Sequence, residues 1–211
     1  MNPDFWHQKW KNNQIGFHNP IPHPLLIQYA DKLSLDKGQR IFLPLCGKTL
    51  DIGWLLSEGY RVAGVELNEM AVLQLFEELE LEPNIKIDDK LKHYTANNID
   101  IFVGDVFDLT KEMLGEIDAI YDRAALVALP YEMRKQYSVH LLNITHKAPQ
   151  LILSFEYDQE LASGPPFSIS EDEIHEHYSN SYKVNHLTTK HLPSFLGGIS
   201  AKEHVWLLNR N

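Results

Sequence analysis

The side chains best placed for chemistry stand just past short apolar runs. Glu66 closes the run from Arg61 to Val65, Asp105 follows Ile99 to Gly104, and Asp122-Arg123 follows Ile117 to Tyr121. In open α/β sheets ligands bind at the carboxyl ends of strands, so charged groups there can meet a ligand. An acid after the second strand can accept hydrogen bonds from both hydroxyls of a ribose, which makes Glu66 the candidate for gripping a nucleoside. The alternative for Glu66 is an exposed surface carboxylate. Asp105, with Val106 beside it, is placed to reach an adenine amino group and ring; a turn or helix-capping aspartate is the competing reading. Arg123 can favour an anionic ligand, or form a purely structural ion pair with Asp122.

The turn after the first apolar run narrows the ligand. Leu45-Cys46-Gly47-Lys48-Thr49 has one glycine, whereas dinucleotide sites use Gly-x-Gly-x-x-Gly to bring backbone amides onto a pyrophosphate. It does not match the Gly-x-x-x-x-Gly-Lys phosphate loop either. A ribose-bearing ligand without a diphosphate fits such a turn, and S-adenosylmethionine is the common one. Cys46 could act as a nucleophile at a helix start, where the dipole would lower its pKa; a small buried turn residue is the reading we favour. There are 11 histidines, but His175-x-His177 on a helix points its rings apart and His18 and His23 span a proline-rich loop. No His-Glu-x-x-His or Cys/His ligand spacing occurs, so no metal site is expected. No Gly-x-Ser-x-Gly elbow is present for a serine hydrolase.

The elements that must hold these groups alternate. Ile41 to Leu43 is a first strand, Thr49 can cap a helix containing Leu50, Trp54 and Leu55, Gly59 can end it, and Arg61 to Val65 is a second parallel strand, a right-handed βαβ unit. Asn68 caps a helix to about Leu79, with Met70, Leu73, Leu75 and Phe76 as its apolar points. Glu82 to Asn98 is polar and reads as a surface excursion with a hairpin about Lys92 to Asp100. Ile99 to Val103 and Ile117 to Tyr121 are the third and fourth strands, Pro130 opens a helix to about Ile144, and Leu151 to Phe155 is the fifth strand. Ser170 with Glu173 makes a capping box, and Tyr182 to Leu192 with His204 to Leu208 form a closing antiparallel pair linked by Ser194 to Ala201. Before the first strand, Asp4 to Lys11 is a short helix, and residues 1–24 hold Trp6, Trp10 and Phe17, which must cover apolar surface or a ligand.

A chain of 211 residues makes one α/β domain able to bury a full core. Its formal charge of −10, with no basic stripe, argues against nucleic acid or an anionic membrane as a partner and leaves small molecules. A single cysteine, no signal-peptide pattern and no membrane-length apolar run point to the cytoplasm. Nothing demands more than a monomer.

Taken in order, Trp6, Trp10, Phe17-His18, Phe42-Leu43-Pro44-Leu45-Cys46-Gly47-Lys48, Val62 to Glu66, Asp122-Arg123-Ala124-Ala125-Leu126-Val127-Ala128 and Gly164-Pro165-Pro166-Phe167 resemble the thiopurine S-methyltransferase family, bacterial members in particular. The resemblance implies a class I S-adenosylmethionine-dependent methyltransferase fold: a seven-stranded, mostly parallel sheet with a final antiparallel pair and helices on both faces. It implies that Trp6 and Trp10 flank the cofactor, Leu45 lines it, Glu66 binds the ribose, and Asp105 and Val106 meet the adenine. Arg123 would lie near both the methionine end and the acceptor, with Phe17 over the acceptor. The basic residues that animal members carry in the segment matching Ser194 to His204 are not reproduced. The acceptor implied is an aromatic or heterocyclic thiol such as a thiopurine, or selenium or tellurium oxyanions or their reduced forms, with S-adenosylhomocysteine as product. A non-catalytic S-adenosylmethionine-sensing module and a pyridine-nucleotide oxidoreductase are the alternatives, the second disfavoured by the single-glycine turn.

Overall fold

A computed structural model describes residues 2–88 and 90–211. Met1, within the expected N-terminal cover, and Asp89, within the expected excursion, lie outside the described residues. Nine strands are described: β1 (Arg40–Pro44), β2 (Arg61–Glu66), β3 (Asn84–Asp88), β4 (Leu91–Ala96), β5 (Ile99–Val103), β6 (Ala119–Arg123), β7 (Gln150–Glu156), β8 (Tyr182–Phe195) and β9 (Ile199–Arg210). They form one sheet in the order β3-β4-β5-β2-β1-β6-β7-β9-β8. The segment from β5 to β7 is parallel, and β9 runs against both β7 and β8.

The expected seven strands are therefore nine, and the expected surface excursion supplies the other two. β4 pairs antiparallel with β5, which is the hairpin expected about Lys92 to Asp100, and with β3; Leu91 and Tyr94, on opposite faces of β4, are buried one in each core layer while their neighbours stay partly wet. Two apolar residues in a polar stretch suffice to hold an edge hairpin against a sheet whose centre is already formed. The closing pair is also longer than the expected one, so the Ser194 to Ala201 link reduces to a tight turn about Leu196, Gly197 and Gly198, all with positive φ.

The described helices that flank the sheet are α1 (Pro3–Lys11), α2 (Pro24–Tyr29), α3 (Asp51–Ser57), α4 (Glu69–Glu78), α5 (Lys111–Leu114), α6 (Tyr131–Ile144) and α7 (Glu171–Tyr178). Strand alternation sends successive side chains to opposite layers. Ile41, Leu43, Val62 and Tyr121 pack with α2, α3 and α4 on one face, and Phe42, Ala63, Val65, Ile120 and Trp206 pack with α6 and α7 on the other. Each fully buried Leu, Ile or Phe contributes about 1.5–3 kcal/mol by leaving water. On α4 the buried points are Ala71, Val72, Leu75 and Phe76; Met70 and Leu73 are exposed, since they fall outside the stripe that meets the sheet. β1 lies between β2 and β6, so the chain reverses its direction of travel across the sheet there and opens a crevice at the carboxyl ends of those strands. Among the described residues no helix is long and apolar enough to cross a membrane.

The same alternation separates Asp122 from Arg123. Asp122 points to the α6 face, fully buried, accepting from the Leu126 amide at 3.0 Å and the Tyr137 hydroxyl at 2.7 Å. The ion pair with Arg123 that stood as the alternative reading does not form; Arg123 pairs with Asp51. Burial raises the Asp122 pKa to about 6, against the pull of those hydrogen bonds. A carboxyl raised in the folded state stabilises the fold fully below its unfolded pKa, and that contribution is lost as pH rises through about 6. We expect the stability difference between wild type and Asp122→Asn to shift in the variant's favour by about 2 kcal/mol between pH 4 and pH 7, since each tenfold gain in proton affinity on folding is worth about 1.4 kcal/mol and the unfolded carboxyl is already partly ionised at pH 4. Denaturant unfolding at a series of pH values checks this, and a pH-independent difference would contradict it.

Candidate functional site

The crevice opens into a cavity of about 660 Å³ at the carboxyl ends of β5, β2, β1, β6 and β7. The turn after β1 builds its middle. Leu45 and Gly47 both adopt left-handed backbone, with φ of 48° and 54°, folding the turn back so that the Cys46 amide donates to the Val65 carbonyl at 3.0 Å. A side chain at Gly47 would stand 3.2 Å from the Trp10 ring, so glycine lets the indole rest on the turn. In β2, a Cβ at Gly64 would lie 2.9 Å from Cys46 Sγ and 2.8 Å from Ile101 Cδ1, and its absence seats Cys46 against the strand. Burial, and then the nearby Glu66 carboxylate, push the Cys46 thiol well above its ordinary pKa. That is the opposite of an activated nucleophile.

Glu66 faces this turn from the end of β2. Its Oε2 accepts from the Gly47 amide at 2.8 Å and its Oε1 from the Asn68 amide at 2.8 Å. Two backbone donors fix the carboxylate in one orientation while each oxygen keeps capacity for another hydrogen bond. Burial raises its pKa, and the amides of Asn68, Gly47 and Leu67 draw it back. It is not the exposed carboxylate of the alternative reading: it is 6% exposed and lines the cavity.

Beyond β5, Asp105 does two things. Its side chain caps the 3-10 turn Val106–Asp108 by accepting from the Phe107 amide at 3.0 Å, and it remains exposed at the cavity wall. Val106 beside it is buried and lines the same wall.

Arg123, at the end of β6, is bound to three elements. Nε donates to Asp51 Oδ2 at 2.9 Å, Nη2 to Thr49 Oγ1 at 3.0 Å and Nη1 to the Phe17 carbonyl at 3.2 Å. Its partner carboxylate is thus Asp51 in the first turn of α3, which is 1% exposed and also accepts from the His23 amide at 2.6 Å and the Tyr121 hydroxyl at 3.3 Å. Three of five guanidinium N–H groups are taken, and two are left for the cavity that Arg123 lines. Thr49 also accepts from the Asp51 amide at 3.3 Å, but the N-cap of α3 is Leu50, which has no side-chain cap, so the expected Thr49 cap falls one residue outside the helix.

The N-terminal segment closes the other side. Phe17 stands between Trp6 and Trp10, with centroid distances of 5.9 and 5.6 Å and edge-to-face angles, and all three line the cavity. Their mutual packing and the Phe17 carbonyl bond to Arg123 tie this segment to the sheet. All eight residues singled out in the sequence as binding groups, Trp6, Trp10, Phe17, Leu45, Glu66, Asp105, Val106 and Arg123, border this cavity.

Sequence reasoning missed Phe155, Phe195 and Glu203, which line it too, and read His23, which also lines it, only as a poor metal ligand. Glu203 could have been noticed: in the period-two pattern of Ala201, Glu203, Val205 and Leu207 it is a lone acid at an apolar-face position. His18 was read only as a poor metal ligand; it lines the cavity, and burial, then Lys48, lower its pKa.

The family described as "Thiopurine S-methyltransferase (TPMT)" matches residues 1–210. A thiopurine S-methyltransferase of Xanthobacter autotrophicus is 48% identical over 100% of both chains. One from Teredinibacter turnerae is 49% identical over 100% of this chain and 99% of its own. Among solved structures, the fold is similar to that of 1,6-didemethyltoxoflavin-N1-methyltransferase from Burkholderia thailandensis, crystallised with 1,6-didemethyltoxoflavin and S-adenosylhomocysteine. The TM-score is 0.67 at 14% identity, over 98% of this chain and 87% of that one. An S-adenosylmethionine-dependent methyltransferase from Anabaena variabilis gives 0.64 at 15% identity over 100% and 96%.

Proposed function

The chain belongs to the thiopurine S-methyltransferase family and is an S-adenosylmethionine-dependent methyltransferase, and we propose that it methylates the sulfur of an aromatic or heterocyclic thiol. The observation that carries this reading is the Glu66 carboxylate, oriented by two amides and facing a cavity whose turn has no diphosphate cradle. Such a site suits a ribose attached to a non-phosphorylated tail. When bound, S-adenosylmethionine supplies a methyl group already activated by its sulfonium charge.

The residues then have these tasks. Glu66 accepts from the ribose hydroxyls, Asp105 from the adenine amino group, and Val106 packs on the ring. Leu45, Trp6 and Trp10 cover the middle of the site and exclude water, and residues 1–24 act as its cover. An indole face turned to the positive sulfur would add about 0.5–2 kcal/mol. Phe17 covers the acceptor. Aryl thiols are acidic enough to be largely thiolate near neutral pH, so no strong general base is needed. Arg123 favours that anion through its remaining N–H groups while Asp51 and Thr49 hold its plane. Selenium or tellurium nucleophiles share the softness of the thiolate and would meet the same groups.

The test is release of S-adenosylhomocysteine from S-adenosylmethionine over a panel of aryl thiols, selenite and tellurite. Turnover with aryl thiols is the expected result, and no product with any member of the panel would overturn the reading.

A further inference from the structure

Carboxylates line the cavity toward both ends, Glu66 and Asp105 on one side and Glu203 on the other. Glu66 ends β2; Glu203 lies on β9, four strand spacings away in the order β2-β1-β6-β7-β9, about 19 Å. With the nucleoside at the β2 and β5 end and Arg123 at the end of β6, the acceptor's place is the remaining part, between β6 and β9. Glu203 is paired in register with Phe155, is 5% exposed, and lines this part with Phe155 and Phe195, whose ring centroids are 4.6 Å apart. Those rings offer apolar walls to a flat molecule.

A buried carboxylate in such surroundings is costly unless well partnered. Among the described residues the Glu203 carboxylate has one partner at ion-pair distance, His23, with Nε2 3.3 Å from Oε1. His23 also borders the cavity and accepts the Leu25 amide at Nδ1, 3.3 Å. An imidazole that accepts at Nδ1 is not the doubly protonated cation, and its Nε2 stands beside Glu203 at ion-pair distance without forming a directed hydrogen bond. The pair therefore keeps the negative charge of Glu203. A strut joining α2 to β9 would not need that charge; a ligand-facing group would.

We infer that Glu203, positioned by His23, sets acceptor specificity: it accepts a hydrogen bond from an N–H on the far edge of an aromatic thiol and repels acceptors with a negative group there. The inference rests on the methyl-transfer reading above. The sulfur sits toward Arg123, and β6 and β9 are two strand spacings apart, about 10 Å, a span that a substituted or fused aromatic ring can bridge. The N–H of such a ring would replace the missing donor on Glu203, whereas a carboxylate would face a like charge in a site shielded from water.

The test compares 4-mercaptobenzamide, whose amide N–H lies on the edge opposite the sulfur, with 4-mercaptobenzoate, which carries a carboxylate at the same place. In wild type the ratio of their kcat/KM values is expected to exceed about 100-fold, and Glu203→Gln, which keeps an oxygen for His23, should shrink it by about tenfold or more. An equal fall with both thiols, leaving the ratio unchanged, would mean a structural strut and overturn the inference. Should the variant not fold, calorimetry on wild type saturated with S-adenosylhomocysteine decides. 4-Mercaptobenzamide is expected to bind at least about tenfold more tightly than 4-mercaptobenzoate, and equal or tighter binding of 4-mercaptobenzoate overturns the inference. If neither thiol yields S-adenosylhomocysteine with wild type, the methyl-transfer reading itself falls and takes the inference with it.

Discussion

Glu66→Ala is expected to weaken S-adenosylhomocysteine binding by about 100-fold while leaving the protein folded. Two hydrogen bonds from ribose hydroxyls to a carboxylate are each worth about 1.5–3 kcal/mol, and about 2.7 kcal/mol is already a hundredfold in Kd. The fold should tolerate the change better than binding does. The carboxylate is destabilised by burial, as its raised pKa records, and the Gly47 and Asn68 amides that it now satisfies can take water in the space left by the side chain. Glutamine is the poorer test, because its amide nitrogen would face one of those two backbone donors. Calorimetry with S-adenosylhomocysteine and a thermal melt separate the effects; unchanged affinity in a folded variant would remove Glu66 from the site.

Arg123→Ala should act differently, lowering kcat by about 100-fold or more with a smaller change in S-adenosylhomocysteine affinity. Its remaining N–H groups are assigned to the anionic acceptor, and an interaction of that kind is worth several kcal/mol when it strengthens as the reaction proceeds. The variant will also be less stable. Asp51 is 1% exposed, and removing one partner of a buried pair costs about 3–5 kcal/mol. The His23 amide and Tyr121 hydroxyl that remain on Asp51 should keep the loss at the lower end. Adding Asp51→Asn should restore part of the stability without restoring kcat. Lysine at position 123 keeps the charge but cannot reach Asp51, Thr49 and Phe17 together, so intermediate turnover is expected. Recovery of full turnover in the stabilised double variant would show that Arg123 acts only as a brace.

Much of this site was legible because it depends on where strands end. Apolar runs place Glu66, Asp105 and Arg123 at one rim, and the single-glycine turn says what kind of ligand that rim does not hold. The partners across the fold were not legible. Nothing local tells Arg123 to pair with Asp51, 72 positions earlier, although the strand period does say that Asp122 must point away from it. The β4-β5 hairpin was legible about Lys92 to Asp100, but β3 was not: Asn84–Asp88 is a mostly polar edge stretch that becomes a strand only by pairing with β4. Glu203 shows the reverse case. Its position on an apolar strand face was visible in the sequence, but its meaning required knowing that β9 borders the cavity.

The most direct measurement is a double cycle in binding, titrating wild type and Glu66→Ala with S-adenosylhomocysteine and with its 2′,3′-dideoxyribose analogue. If the carboxylate holds the ribose diol, losing the hydroxyls and losing the carboxylate cost the same free energy, and the second change adds little once the first is made. Additive losses, with the variant still favouring the hydroxylated ligand as strongly as wild type does, would place the ribose elsewhere.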